Sequence, residues 1–368
     1  MTDAPVAPAP ATAASEATPA EASAPDSASP QLRTHESTAP QRPRGSLGQR
    51  VRARLIGAIA RLLIVIPEAP VNSLGEAAGE AWYRVAAWRA ERARHNYRRV
   101  AAHLVARGLA NPATKAAATD PAALERLVRR AFRHAMRYYL DMMRLPGRSQ
   151  AELDKRLVVE TPLTVDDAFG HPGPLIFASM HFGAVEFPAL YAVARTGRRV
   201  TAPMETLADP ELQAWISDTR SSVGVDLVGL RDARRALTAT LDEGGTIGMV
   251  VDRNVAGGTV DVPFFGAAAP LPMGPALLAM DRGLPIWLAA VRRGPGGRFY
   301  GQLRRVDLPA AGNRRARLTG GMAGLAAAME EAVAVAPEQW WSIFFPIWPD
   351  LDPEAAAGTG RLESGTAR

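Results

Sequence analysis

The passage with the clearest chemical content is Leu175-Ile-Phe-Ala-Ser-Met-His-Phe-Gly-Ala-Val-Glu-Phe187, an apolar run that ends at His181 with a carboxylate, Glu186, five residues on. The run reads as a buried strand, and a helical pattern begins just after it. In open α/β sheets, functional groups gather at the carboxyl ends of strands, which is where His181 falls. Within a single helix, residues five apart sit about 140° from one another. The two side chains therefore meet only if His181 lies on the turn before the helix and Glu186 points back from its first turns. A carboxylate in that position holds the imidazole in one tautomer and raises the basicity of its other nitrogen, which can then take a proton from an alcohol. His-x4-Glu is a common spacing, so the surroundings must decide between a catalytic and a structural histidine.

Those surroundings have the texture of an α/β domain. After Gly147 short apolar runs alternate with helical stretches: Leu175–Met180 and a helix near 183–194, Val200–Pro203 and a helix near 209–223, Val225–Val228 and a helix near 231–243. Thr246–Val251, Val260–Phe265, a helix near 273–282, Pro285–Val291, Phe299–Val306 and a last helix near 319–335 follow. Strands alternating with helices predict a central, mostly parallel sheet flanked by helices. Ahead of it, residues 46–146 read as a helical part, with amphipathic patterns at about 73–107 and 121–144, the second opened by Asp120-Pro121. The expected organisation is thus one domain over 46–351, divided into helical (46–146) and α/β (147–351) parts. Residues 1–45 and 352–368, dominated by small and polar residues, are expected to be disordered tails.

Composition removes several function classes. The chain has no cysteine, which excludes disulfides, thiolate catalysis and cysteine-ligated zinc. Its six histidines show no metal-ligand spacing, so no metal and no cofactor are expected. The N-terminus carries no pattern of a secretory signal. The net charge of +6 suits an anionic bilayer or a phosphorylated substrate. Charge alone also suggests nucleic acid, but against it the arginines are scattered and no nucleic-acid motif appears. The segment 55–66 is apolar apart from Arg61 and is too short to span a bilayer, which takes about 20 helical residues. With Arg50, Arg52 and Arg54 beside it, it reads either as a helix lying at a membrane interface or as a buried core helix.

Several passages carry a family resemblance. His181-Phe-Gly-Ala-Val-Glu186 resembles the His-x4-Asp/Glu signature of glycerolipid acyltransferases in its lipid A-type form. Val251-Asp-Arg-Asn254, Val262-Pro-Phe-Phe-Gly266, Pro272-Met-Gly-Pro-Ala-Leu-Leu-Ala279 and Gly283-Leu-Pro-Ile286 resemble the block that follows it in lipid A biosynthesis acyltransferases. Pro337-Glu-Gln-Trp-Trp341 with Pro346-Ile-Trp-Pro349 resembles the closing motif, and Asn96-Tyr97 an early asparagine of the helical part. Ala202-Pro-Met-Glu205, Asp209-Pro-Glu-Leu212, Arg220 before Gly224-Val225, and the pair Asp252-Arg253 are similar to the phosphatidylinositol mannoside acyltransferase branch, whereas Glu186 follows the lipid A pattern.

The resemblance implies transfer of a fatty acyl chain from acyl-CoA, or from acyl-carrier protein, to a hydroxyl of a glycolipid such as a phosphatidylinositol mannoside. A lysophospholipid or lipid A precursor is the alternative acceptor, and a non-catalytic lipid-binding protein of the same fold is the alternative class. It implies His181 as base and Glu186 as its orienting partner. Arg220 is expected near the reacting carbonyl or a phosphate, with Glu205 holding its guanidinium or meeting acceptor hydroxyls. Asp252 and Arg253 end a strand and should open onto the same edge as His181, as substrate-binding residues. Ser179 lies on the strand two residues before His181, and no acyl-serine is expected. The implied location is the cytoplasmic face of the cell membrane, peripheral or monotopic. Phe264, Phe265, Met273, Leu277, Leu278 and Met280 could line an acyl tunnel or be plain core. The aromatic run from Trp340 to Trp348 could meet a bilayer interface or pack on the sheet.

Overall fold

A computed structural model describes residues 45–170, 172–255 and 257–352. Apart from Gly45 and Asp352, the ends expected to be disordered lie outside these residues. Helix α1 (Leu47–Val65) is opened by a capping box in which Ser46 accepts from the Gln49 N–H and the Gln49 side chain accepts from Ser46. Helices α2 (Glu68–Val85), α3 (Ala87–Ala106), α4 (Pro112–Thr119) and α5 (Pro121–Arg144) complete the helical part. The single pattern read over 73–107 is two helices, broken at Ala86 (φ −103°, ψ 56°). The break contains neither glycine nor proline, so the sequence offered no signal for it.

Helix α6 (Gln150–Arg156), strand β1 (Leu157–Val159) and helix α7 (Pro162–Gly170) lead into the units read from the sequence. These are β2 (Leu175–Ser179), α8 (Phe187–Thr196), β3 (Val200–Met204), α9 (Pro210–Ser221), β4 (Val225–Gly229), α10 (Leu230–Asp242) and β5 (Thr246–Val250). A two-stranded hairpin, β6 (Thr259–Phe264) and β7 (Ala267–Pro272), follows. Helix α11 (Gly274–Arg282), β8 (Ile286–Arg293), β9 (Phe299–Val306) and α12 (Arg314–Val335) close the order.

The main sheet has seven strands in the order β1-β9-β8-β2-β5-β3-β4. Strands β2, β3, β4, β5 and β8 are parallel, while β9 pairs antiparallel to β8 and carries β1 with it. Successive side chains of a strand face opposite sides. In β2, Ile176 and Ala178 enter the core shared with α3, α5, α11 and α12, while Leu175 and Phe177 enter the core under α7 and α8. Each large side chain buried in this way contributes about 1.5–3 kcal/mol.

The same pattern positions the site. From β2 the chain crosses through α8 to β3, on one side of the pair β2–β5. From β5 it crosses through the hairpin and α11, on the other face, to β8 on the other side of that pair. The carboxyl ends of β2 and β5 therefore flank a topological switch point, where open α/β sheets leave a crevice.

Candidate active site

Strands β2 and β5 pair in parallel with Leu175 opposite Thr246 and Ser179 opposite Val250. Continued two residues past both strand ends, that register sets His181 against Asp252. The imidazole Nδ1 lies 2.8 Å from Asp252 Oδ1, and the His181 backbone N–H donates to Asp252 Oδ2 at 3.0 Å. Trp340 Nε1 donates to the same Oδ2 at 2.8 Å, and the Ser342 hydroxyl lies 3.2 Å from His181 Nδ1. Burial works against a charge on Asp252, but the neighbouring His181 and the hydrogen bonds from His181, Trp340 and Ser342 outweigh it and hold the carboxyl down at about 2. Asp252 is thus a buried anion, and its partner's Nδ1 is occupied. Among the described residues Nε2 makes no hydrogen bond, and the side chain is 17% exposed.

The turn after His181 needs glycine. Gly183 has φ 55°, and a Cβ there would stand 2.1 Å from the Val291 carbonyl oxygen. That close approach lets Ala184 N–H donate to Val291 O on β8 and Gly183 N–H donate to Gln339 O. The C-terminal segment is drawn in on the other side, where Trp341 N–H donates to the His181 carbonyl and the Trp341 ring stands edge-on to the imidazole at 4.3 Å. Helix α3 secures this segment. Asn96 Nδ2 donates to the carbonyls of Ile343 (2.9 Å) and Phe345 (3.1 Å), and Tyr97 Oη donates to Pro337 O at 2.9 Å.

Glu186 does not reach His181. It faces Arg220, whose Nε lies 3.1 and 3.2 Å from the two carboxylate oxygens and whose Nη2 lies 2.7 Å from Oε1. Arg220 Nη2 also donates to Tyr138 Oη at 3.4 Å, and Tyr138 stacks on Trp341 at 5.0 Å. Burial alone would lower the Arg220 pKa, but Glu186 and Tyr138 raise it above the ordinary arginine value. Two expectations are corrected here. The histidine's partner is Asp252 rather than Glu186, because the strand register delivers Asp252 directly while Glu186, at the start of α8, turns its carboxylate to Arg220. Arg220 is held by Glu186 rather than by Glu205, because α9 brings it to the turn that follows β2.

Glu205 instead meets Arg253 at 3.3 Å, and the Arg253 guanidinium lies 4.5 Å from the centre of the Phe345 ring. Asp252 and Arg253 do open onto the edge that carries His181, but Asp252 is fully buried as a histidine partner and not available to substrate. Ser179 donates to Ala289 O at 3.0 Å. Phe264 and Phe265 are plain core, packed on Trp340 and Trp348, and Trp340, Phe344 and Trp348 are buried with them. Among the described residues, no three His, Asp or Glu side chains are grouped to hold a metal ion. The sequence had brought Trp340, Trp341 and Asn96 to notice without a role; Tyr138 and Ser342 carried no signal, since only the folded segment brings them to the imidazole.

A buried-carboxylate–histidine pair at the switch point of a mostly parallel sheet, backed by an aromatic segment, is an arrangement that can accept a proton. The sequence profile of the bacterial lipid A biosynthesis acyltransferases matches residues 115–345, and the chain belongs to that family. It is similar to the phosphatidylinositol mannoside acyltransferase of Mycolicibacterium smegmatis (strain ATCC 700084 / mc(2)155), at 26% identity over 165 residues, 44% of this chain and 54% of the relative. The phosphatidylinositol mannoside acyltransferase of Mycobacterium tuberculosis (strain CDC 1551 / Oshkosh) is 27% identical over 153 residues, 40% of this chain and 48% of that protein. The matched stretch thus spans about half the length of these relatives.

Proposed function

We propose that the protein transfers a fatty acyl chain from a thioester donor to a hydroxyl of a glycolipid, with His181 as base and Asp252 as the carboxylate that orients it. The donor is acyl-CoA, with acyl-carrier protein as the second choice, and the acceptor is a phosphatidylinositol mannoside or a lipid of that kind. The observation that carries this reading is the 2.8 Å contact between His181 Nδ1 and the buried, ionised Asp252. Asp252 keeps the proton of a neutral imidazole on Nδ1, so Nε2 has a free lone pair. Nε2 takes the acceptor's O–H proton as that oxygen attacks the thioester carbonyl carbon. The tetrahedral oxyanion collapses, the C–S bond breaks, and the departing thiolate takes the proton from the imidazolium. Glu186 and Arg220 hold the turn that carries His181, and Arg253 with Glu205 lies on the same edge as His181.

The same reading places the protein at the cytoplasmic face of the membrane through α1. That helix buries Ala60 and Leu63 but leaves Leu47, Val51, Leu55, Ile59, Leu62 and Val65 exposed. An apolar face of this kind, with arginines beside it, suits the interfacial zone of an anionic bilayer. Helix α12 is long and apolar enough to cross a membrane, but half of its apolar window is buried within the fold.

The test is transfer of labelled palmitate from palmitoyl-CoA to a panel of phosphatidylinositol mannosides, lysophosphatidate and a lipid A precursor, read by mass spectrometry. A product with a mannoside that disappears in His181→Ala is expected. A product only with lysophosphatidate or the lipid A precursor would reassign the acceptor. No product with any acceptor, with acyl-carrier protein also tried as donor, would favour a lipid-binding protein without turnover.

A further inference from the structure

Helix α3 begins in an electrostatically unusual way. No side chain caps it, and its first turn holds no acidic residue. An arginine, Arg89, sits there instead, at the end of a helix that carries partial positive charge and normally favours anions. Arg89 is half-buried, and among the described residues it makes no ion pair with a carboxylate. Its guanidinium rests on aromatic rings: 4.4 Å from the centre of Trp88, 5.8 Å from Trp82 and 5.4 Å from Phe345. Burial lowers its pKa, and no neighbouring carboxylate is there to oppose the shift.

Phe345 is the ring that Arg253 also covers, at 4.5 Å. The Arg253 Nε is buried without a hydrogen-bond partner, and its Glu205 contact occupies only one terminal nitrogen. Tyr139 lies within the field of both guanidinia, which oppose the rise that burial gives its phenol. Two cations therefore gather beside one ring, with Tyr139 packed 6.4 Å from the adjoining Trp341 ring; among the described residues the half-exposed Glu205 is the carboxylate paired with either of them. The place is next to the site: Phe345 packs on Trp341 at 5.8 Å, and Trp341 on His181 at 4.3 Å. Arginine forks match the geometry of phosphate oxygens, and their hydrogen bonds to a phosphate are strong when water is excluded.

The geometry points to a phosphate-binding cradle formed by Arg89, Arg253 and Tyr139, which holds a phosphate group of a lipid or nucleotide substrate while its reacting atoms lie at His181. This deepens the acyltransferase reading and rests on it for the substrate's identity, though not for the anion site itself. The phosphate can come from two sources: the phosphodiester of the acceptor lipid, or the nucleotide phosphates of an acyl-CoA donor.

The experiment is calorimetric titration of the full chain and its Arg89→Gln, Arg89→Lys and Tyr139→Phe variants with three probes: dihexanoyl-phosphatidylinositol, CoA, and uncharged dihexanoylglycerol. Arg89→Gln is expected to weaken binding of one phosphate-bearing probe by about 10- to 100-fold, with Arg89→Lys in between and Tyr139→Phe a smaller loss. Binding of dihexanoylglycerol should be unchanged. The affected probe identifies the source, lipid phosphodiester or nucleotide. Affinity of Arg89→Gln equal to that of the unaltered chain for both phosphate probes, no binding of either by the unaltered chain, or an equal loss on dihexanoylglycerol would overturn the cradle. Phosphate binding that depends on Arg89 in a protein without transferase activity would leave the cradle standing and remove the catalytic reading.

Discussion

Asp252 receives hydrogen bonds from the His181 ring, the His181 backbone and the Trp340 indole, and this convergence explains how a buried carboxylate stays ionised. Glu186 has a different task, as the counter-charge for a largely buried guanidinium. Removing one partner of such a pair leaves an uncompensated charge, typically at a cost of about 3–5 kcal/mol. Glu186→Ala is therefore expected to lower the unfolding free energy by about that amount, seen as a lower denaturation midpoint, and Glu186→Ala combined with Arg220→Leu to recover part of it. A variant with an unchanged midpoint would contradict the assignment. The His-x4-Glu spacing was legible because it is local, but the two side chains it joins do not meet. The His181–Asp252 pair was not legible, although Asp252 could be placed on the correct edge. Pairing residues 71 positions apart requires knowing that β5 lies beside β2, and strand order is not written in either strand's own residues.

Most α/β units fall within a few residues of where apolar runs and capping residues place them, because each strand is buried and each helix amphipathic. The departures have local causes. Strand β7 was missed because its hairpin turns on Phe265-Gly266, both at positive φ (48° and 79°), where Asn-Gly would be the usual signal. Phe265 tolerates that conformation because its ring is buried and its N–H donates to the buried Glu330 carboxylate at 2.5 Å. The segments α6, β1 and α7 are short and carry little periodicity. At this scale Asn96 is the strut between the helical part and the site. Asn96→Ala removes two bonds to carbonyls of the C-terminal segment and should cost about 1–3 kcal/mol. Because that segment carries Trp341 and Ser342, transfer activity should fall further than the loss of folded protein explains. Loss of activity that only tracks unfolding would limit Asn96 to a stabilising role.

For the molecule as a whole, α1 packs one face against α5, with Arg144 donating to the carbonyls of Leu63 and Ile66, and leaves its other apolar face exposed. Periodicity could not settle this, because an apolar run with one arginine is compatible with burial on either side. The C-terminal aromatics were ambiguous for a similar reason, and packing assigns most of them to the core. Replacing Leu55 and Leu62, both more than half exposed, with glutamine should leave the fold intact. It should also reduce co-sedimentation with vesicles containing anionic lipid, by about 10-fold or more on the scale of two lost apolar contacts. Undiminished vesicle binding would remove α1 as the membrane contact.

The measurement that bears most directly on the central claim is the rate of palmitoyl transfer to a phosphatidylinositol mannoside by Asp252→Asn beside the unaltered protein, with folding checked by circular dichroism. If Asp252 holds the imidazole as a base, kcat falls by about 10²–10⁴-fold while KM for both substrates changes little. An undiminished kcat in a folded Asp252→Asn protein would contradict the account.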